Sequence, residues 1–140
     1  MTIISTLLLL IFSFLSALHF YWGFGGMWGL DSSVPVSEDG KRLLNPTALH
    51  SFVVGAGLFF FGLLAGIKGG VISAPIPQVL SDYGLYMVAV IFLARAIGNF
   101  SYVGFFKKLK NTPFGVMDSL LYSPLTLIIS VLCAILQKMN

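Results

Sequence analysis

Four long apolar stretches dominate this 140-residue chain and constrain its fold more than any other feature. They cover roughly residues 3–24, 46–67, 79–106 and 119–137. The hydrocarbon core of a bilayer is about 30 Å thick, and about 20 apolar residues in an α-helix cross it. Each stretch is therefore long enough to span a membrane. The sequence predicts an all-α integral membrane protein, a four-helix bundle with up-down-up-down topology.

The composition indicates a single transmembrane domain over residues 1–140. Hydrophobic residues make up 57% of the chain and charged residues only 9%, against about 25% charged residues in a typical soluble domain. The net charge of +3 comes from few residues, and no basic stripe on a polar surface indicates nucleic-acid binding. The N-terminal 20 residues lack the basic segment that opens a signal peptide, so the first stretch is predicted to be a retained helix.

Local signals predict the ends of the second helix. Asn45 and Pro46 are typical of an N-cap followed by proline at the first helical position. Lys68, followed by Gly69 and Gly70, is typical of a helix end.

Small residues predict where the helices pack closely. Gly55, Gly62 and Gly66 lie along the second helix, and Gly62 and Gly66 have small-xxx-small spacing. Ala94 and Gly98 have the same spacing in the third helix. Because small residues let membrane helices approach one another, both sets indicate a packed bundle.

Basic residues predict the orientation in the membrane. Five lie in the first loop (25–45) and the third loop (107–118), and two lie at the opposite end. Since cytoplasmic loops are enriched in Lys and Arg, these two loops are predicted to be cytoplasmic and both termini to lie outside. The basic run at 107–110 is also predicted to contact anionic head groups. The five residues are Lys41, Arg42, Lys107, Lys108 and Lys110, and the two are Lys68 and Lys138.

Polar side chains converge in the predicted cytoplasmic half of the bundle. Arg95 is a lone charge in the third apolar stretch, where a charged side chain costs roughly 2.5 to 3.5 kcal/mol on insertion scales. Helical spacing predicts that Asn99 and Tyr102 share the face of Arg95. Asp118 is predicted to open the fourth helix. The full set of candidate ligand-binding residues is His19, Trp22, His50, Arg95, Asn99, Tyr102, Asp118 and Tyr122.

Each member of this set also has a simpler structural explanation. Arg95 is expected to pair with Asp118, or with Asp31 as the second candidate, because arginine in a low-dielectric site favours a carboxylate partner. His19 and His50 are each explained by a hydrogen bond to a neighbouring helix. The aromatic members are explained by the belt of Trp and Tyr at the membrane–water interface.

No familiar catalytic centre is present. A bis-histidine haem would use His19 and His50, but there is no haem-attachment motif. A zinc site could add Asp118 as a third ligand, but nothing in the spacing demands it. Nucleophile elbows, phosphate-binding glycine loops and HExxH motifs are also missing. We predict no metal and no cofactor, and whether the chain is an enzyme stays open. A site for an anion or polar head group fits best, with Arg95 supplying the charge.

Three segments carry a family resemblance: HFYWGFGGMWGLD (19–31), RAIGNFSYVGFFKK (95–108) and MDSLLYSPL (117–125). They resemble an uncharacterised bacterial family of small four-helix membrane proteins, domain of unknown function 3995. In that pattern an acidic residue often stands where this chain has Asn99. This departure would leave Arg95 without one possible partner on its own helix and would favour Asp118. The resemblance implies the four-helix architecture and a bacterial cytoplasmic (inner) membrane, and it implies no reaction.

Three functions remain. The leading one is binding, with or without processing, of a lipid-like or small polar ligand at the His/Arg/Asp cluster. The second is a small oligomeric transporter or channel, although no carboxylate lies in mid-membrane, since Asp82 and Asp118 are at helix ends. The third is a structural or accessory membrane subunit. The expected partners are membrane lipids and a small-molecule or lipid ligand, without nucleic acid. A homo-oligomer or a larger membrane partner stays open.

Overall fold

Four long helices build the protein, and a computed structural model describes residues 1–139 of it. Each helix is long and apolar enough to cross a membrane. Helices suit such segments because they satisfy every backbone hydrogen bond internally. Residues 1–139 contain no β-strand, so the predicted all-α fold with four spans is confirmed. The helices are α1 (Thr2–Gly23), α2 (Ala48–Lys68), α3 (Gln78–Ile97) and α4 (Pro113–Lys138).

Helices α1 and α2 form one antiparallel pair. Near the start of α1, the Ser5 hydroxyl donates to the Ala65 carbonyl oxygen near the end of α2, at 2.6 Å. Towards the other end, the Ser16 hydroxyl donates to the Gly55 carbonyl oxygen at 2.7 Å. Because both hydroxyls are buried away from water, these bonds fix the two helices against each other.

Helices α3 and α4 form the second antiparallel pair. The Ser130 hydroxyl donates to the Ala89 carbonyl oxygen at 2.7 Å. The Gln137 side chain accepts from the Leu85 backbone N–H and donates to the Ser81 carbonyl oxygen, at 3.1 and 2.9 Å. One amide side chain near the end of α4 therefore joins two backbone groups of α3.

Phe12 lies at the centre of the core and joins the two pairs. Its buried ring meets Phe61 of α2 and Phe92 of α3 edge to face, with centroid distances of 5.9 and 5.5 Å. Ile129 and Cys133 of α4 belong to the same core. Towards the α2–α3 connection, the pairs separate around an apolar groove of about 430 Å³.

The small residues of α2 pack as predicted, whereas those of α3 do not. A Cβ atom at Gly62 would lie 3.1 Å from the Phe12 Cβ, and one at Gly55 would lie 3.3 Å from the Phe20 ring, so α1 and α2 approach closely there. In α3, by contrast, Ala94 is exposed and Gly98 ends the helix. The prediction of a packing contact at the second spacing is therefore wrong.

Helix α2 begins two residues later than predicted. The N-cap is Thr47, not Asn45, and Pro46 lies before the helix. The Thr47 hydroxyl oxygen accepts from the His50 backbone N–H, and the His50 ring accepts from the Thr47 backbone N–H. This reciprocal capping box satisfies two helix-end donors, which a cap at Asn45 could not do.

The third helix ends at Ile97, nine residues before its predicted end at position 106. Gly98 has a φ of +82° and a ψ of −162°, a conformation that is essentially restricted to glycine, so the chain leaves the helix there. The apolar residues that follow belong to the third loop (residues 98–112). Their hydropathy resembles that of a helix, which explains the wrong prediction.

The fourth helix begins at Pro113, before the predicted start at position 119. Thr112 caps it by accepting the Gly115 backbone N–H at 2.9 Å. Asp118 therefore lies inside α4 and does not open it as predicted. It begins a single π-helical turn, Asp118–Tyr122. Such turns are rare in helices and often occur at functional sites.

The first loop (residues 24–47) and the third loop lie at the same end of the bundle. The Ser33 hydroxyl of the first loop is 3.2 Å from the Tyr122 hydroxyl near the start of α4. The end of α2 and the start of α3 meet at the other end, where a Cβ at Gly84 would contact the Leu64 side chain. The up-down-up-down topology follows from these contacts.

Candidate functional site

A buried carboxylate, Asp118, is the centre of a three-residue ion cluster. Its Oδ1 accepts from the Arg95 Nη2 at 2.8 Å, and its Oδ2 lies 3.1 Å from the Lys107 Nζ. The same Oδ2 accepts the Gly104 backbone N–H at 2.8 Å. The predicted pairing of Arg95 with Asp118 is therefore confirmed. The second candidate, Asp31, pairs with Arg42 in the first loop.

Lys107 is a member of this cluster that the sequence did not indicate. Its side chain is fully buried. Besides Asp118, its ammonium group donates to the Gly104 carbonyl oxygen at 3.1 Å and to the Ser119 hydroxyl at 2.7 Å. The prediction that it contacts anionic head groups is wrong, because it turns inward, while Lys108 and Lys110 stay exposed. In the sequence, Lys107 is the first residue of a basic run, which gives no sign that it turns inward.

Two glycines bring Lys107 to the carboxylate by folding the third loop back on α3. Gly98 and Gly104 have φ values of +82° and +92° and pack backbone to backbone. A Cβ on Gly98 would collide with the Val103 carbonyl, and a Cβ on Gly104 with the Ile97 carbonyl. Their spacing within an apolar stretch is the one sequence signal that indicates a turn there.

Asn99 and Tyr102 do not lie on the helical face of Arg95. The Asn99 side-chain oxygen accepts the backbone N–H groups of residues 101, 102 and 103, at 2.9 to 3.1 Å. The predicted shared face is wrong because α3 ends before both residues. An acidic residue, which the family resemblance gives at this position, would supply the same acceptor oxygen. Asn99 therefore organises the loop backbone and leaves Arg95 to Asp118.

The ion cluster carries two cations against one carboxylate. The Arg95 side chain is about one-third exposed, at 32%. Its Nη1 atom is nevertheless buried and has no hydrogen-bond partner within residues 1–139. The guanidinium carbon lies 6.0 Å from the centre of the Phe114 ring, a geometry that gives a cation–π attraction. The cluster thus joins α3, the third loop and α4, and it keeps one positive charge in excess.

His19 and His50 lie apart from this ion cluster, on the wall of a cavity of about 160 Å³ between α1, α2 and the first loop. Trp22, Ser33 and Val54 contribute to the same wall. His19 is half-buried and His50 is exposed, so the cavity opens at the loop end of the bundle. Both histidines therefore line the same cavity.

Each histidine uses its Nδ1 within its own helix. The His19 Nδ1 lies 2.8 Å from the Leu15 carbonyl oxygen. The His50 Nδ1 lies 3.2 Å from the Thr47 backbone nitrogen and 2.9 Å from its hydroxyl. Neither Nε2 makes a hydrogen bond within the part of the chain that the structure describes. The predicted histidine bonds between helices are therefore wrong, and one nitrogen of each ring stays available.

Trp22 shapes the cavity from α1. Its indole meets the His19 ring edge to face, with centroids 4.9 Å apart. Its Nε1 donates to the Trp28 carbonyl oxygen at 2.8 Å. Because this bond holds the indole to the first loop, Trp22 forms a fixed wall for the cavity.

Tyr122 connects the cavity to the ion cluster. Its hydroxyl contacts Ser33 on the cavity wall, and its ring lies 5.9 Å from the Phe114 ring. Phe114 in turn lies against Arg95. Apart from Tyr122, which lies between them, the eight predicted residues therefore fall into two neighbouring groups and a loop. The histidines and Trp22 line the cavity, Arg95 and Asp118 form the ion cluster, and Asn99 and Tyr102 lie in the third loop.

Metal-binding side chains are not grouped in this arrangement. Across residues 1–139, no three His, Cys, Asp or Glu side chains lie close enough together to hold a metal ion. His19, His50 and Asp118, the ligand set considered for zinc, are divided between the cavity and the ion cluster.

A family model described as "Protein of unknown function (DUF3995)" matches residues 12–133, which is most of the chain. No curated protein and no solved structure matches the chain. The family description names no activity, so a functional conclusion has to come from the geometry of the cavity and the ion cluster.

Proposed function

The chain belongs to the DUF3995 family, and we propose that it is a membrane protein that binds a small molecule in the cavity lined by His19 and His50. The cavity itself, about 160 Å³ in volume, is the observation that carries the proposal. An apolar protein cavity of about 150 Å³ is large enough to hold benzene. A ligand of that size, or the head of a longer amphiphile, would therefore fit.

The chemistry of the cavity wall supports this proposal. Ligand sites are mostly apolar, with a few polar groups that fix the orientation of the ligand. Leu30 and Val34 are among the apolar side chains of this wall, and His19, Ser33 and His50 are polar. Because His50 is exposed at the mouth, a lipid-like ligand could place its head in the cavity and leave its chain outside.

In this proposal the ion cluster supports the site and does not contact the ligand. Asp118 holds Arg95 from α3 and Lys107 from the third loop against α4. Tyr122, one turn after Asp118, contacts Ser33 on the cavity wall. The cluster therefore fixes the helix that supports one side of the cavity.

Filling the cavity is expected to abolish binding. Val53 and Val54 are both exposed in part, but only Val54 lines the cavity. Phenol is a suitable probe because it is about the size of benzene. We expect phenol to shift the histidine ¹⁵N resonances saturably in the wild-type protein and in Val53→Trp, but not in Val54→Trp. The measurement is a phenol titration in lipid nanodiscs.

The proposal is contradicted by either of two results. If phenol causes no saturable shift in the wild-type protein, or the same shift in Val54→Trp, the cavity is not a binding site. The accessory-subunit alternative would then be favoured, and a stoichiometric partner would be sought by co-purification. Substrate flux through proteoliposomes that is unaffected by Val54→Trp would favour the transporter alternative instead.

We also propose that the protein lies in a bacterial cytoplasmic membrane, with the first and third loops in the cytoplasm. Four exposed basic residues remain at that end after Lys107 is excluded, which still favours this orientation. A C-terminal alkaline phosphatase fusion is expected to be active, and the same reporter inserted after Asn111 is expected to be inactive. The reverse pattern would contradict the orientation. The four residues are Lys41, Arg42, Lys108 and Lys110, against Lys68 and Lys138 at the other end.

A further inference from the structure

We infer that the cavity selects a neutral ligand with both a hydrogen-bond donor and a hydrogen-bond acceptor, such as a hydroxyl or a primary amide. The basis is that His19 and His50 are held in opposite tautomers by their own helices. This inference rests on the proposed function, since it concerns the same cavity. It adds the chemical class of the ligand, which the size of the cavity does not define.

His19 offers an acceptor. Its Nδ1 lies 2.8 Å from the Leu15 carbonyl oxygen. A carbonyl oxygen can only accept, so the His19 Nδ1 must carry the proton in this bond. A neutral imidazole has one N–H donor and one acceptor nitrogen. The Nε2 of neutral His19 is therefore the acceptor.

His50 offers a donor. Its Nδ1 lies 3.2 Å from the Thr47 backbone nitrogen. A backbone N–H can only donate, so the His50 Nδ1 must be the acceptor. The Thr47 hydroxyl, 2.9 Å from the same nitrogen, can donate to it as well. Neutral His50 therefore carries its proton on Nε2, the opposite tautomer to that of His19.

The two tautomers together define what the cavity can bind well. One wall residue accepts and another donates, and the rest of the wall is largely apolar. A hydroxyl or a primary amide carries both the donor that His19 requires and the acceptor that His50 requires. A hydrocarbon satisfies neither, and a carboxylate can only accept, so it would leave His19 without a donor. Because a ligand that can bond to the polar groups of a site binds more tightly than an analogue that cannot, the ligand class follows.

Phenol and toluene test this inference as a matched pair, since toluene has a methyl group where phenol has the hydroxyl. Compared at equal concentrations in the lipid phase, phenol is expected to bind about tenfold more tightly, because toluene can form a hydrogen bond with neither ring nitrogen. The ¹⁵N spectra of the ligand-free protein are expected to show His19 protonated on Nδ1 and His50 on Nε2. In His19→Phe, which removes the acceptor, the preference for phenol is expected to fall to about threefold.

The outcomes separate the inference from the proposed function. If toluene binds as tightly as phenol and both are lost in Val54→Trp, the cavity binds ligands without selecting for polarity, and the inference is overturned. The same tautomer at both histidines overturns it too. If neither probe binds saturably, the proposed function itself fails. The wild-type comparison and the tautomer spectra need no variant, so a misfolded His19→Phe would not block the test.

Discussion

Replacing Asp118 with asparagine is expected to lower the free energy of unfolding by about 3 to 5 kcal/mol, the usual cost of removing one partner from a buried ion pair. Asparagine preserves the size of the side chain and removes its charge. Arg95 would then lose its anion, and the wholly buried Lys107 would face no negative charge. The Gly104 N–H, which donates to the same carboxylate, would be left with a weaker acceptor at best.

A second ion pair in the chain provides a matched control for this substitution. Asp31 pairs with Arg42 in the first loop, and its side chain is 78% exposed. An exposed ion pair contributes about 0 to 1 kcal/mol, so Asp31→Asn should change stability little. Unfolding free energies of both variants in mixed micelles would be compared with the wild type. Equal effects of the two substitutions would show that burial of the cluster adds nothing to stability.

Gly98→Ala is expected to cost about 2 to 6 kcal/mol, through strain and collision together. A residue other than glycine in this backbone region costs about 1 to 3 kcal/mol, and forcing extra atoms into a packed site costs about 1 to 3 kcal/mol more. The added Cβ would meet the Val103 carbonyl, which is backbone and cannot rotate away. The third loop would have to shift, and Lys107 would shift with it.

Gly57→Ala is the control for this effect. Gly57 lies inside α2, and a Cβ atom there has no neighbour within 4 Å. Alanine in a helix interior is favoured over glycine by roughly 0.5 to 1 kcal/mol, so this variant should be slightly more stable than the wild type.

In the Asp118→Asn background, Gly98→Ala should cost less than it does alone, since both act on the same cluster. Full additivity would contradict the role of the loop in delivering Lys107.

The outline of the fold follows from the sequence because hydrophobic length is a local property. Each apolar stretch needs only its own residues to become a helix in lipid. The helix ends are different, as the third helix shows. The residues after Gly98 are still largely apolar, yet the chain turns there, because two glycines pack backbone to backbone. Hydropathy contains no information about that contact.

The pairing of Arg95 with Asp118 was also accessible from the sequence, since matched depth and opposite charge bring them together. Lys107 was not accessible. It follows a stretch predicted to be helical, and only the reversal of the third loop carries it inward to the carboxylate. Asn99 shows the same limit, because its acceptor role depends on the loop and not on helical spacing.

The sequence by itself determined that this protein has four helices long and apolar enough to span a membrane. Only the tertiary structure decided that the polar residues divide between a cavity and an ion cluster, and which nitrogen of each histidine remains available. The physical reason is the range of the interactions. Burial in lipid depends on the residues of one segment, whereas the position and protonation of a side chain depend on the backbone groups that the fold places beside it.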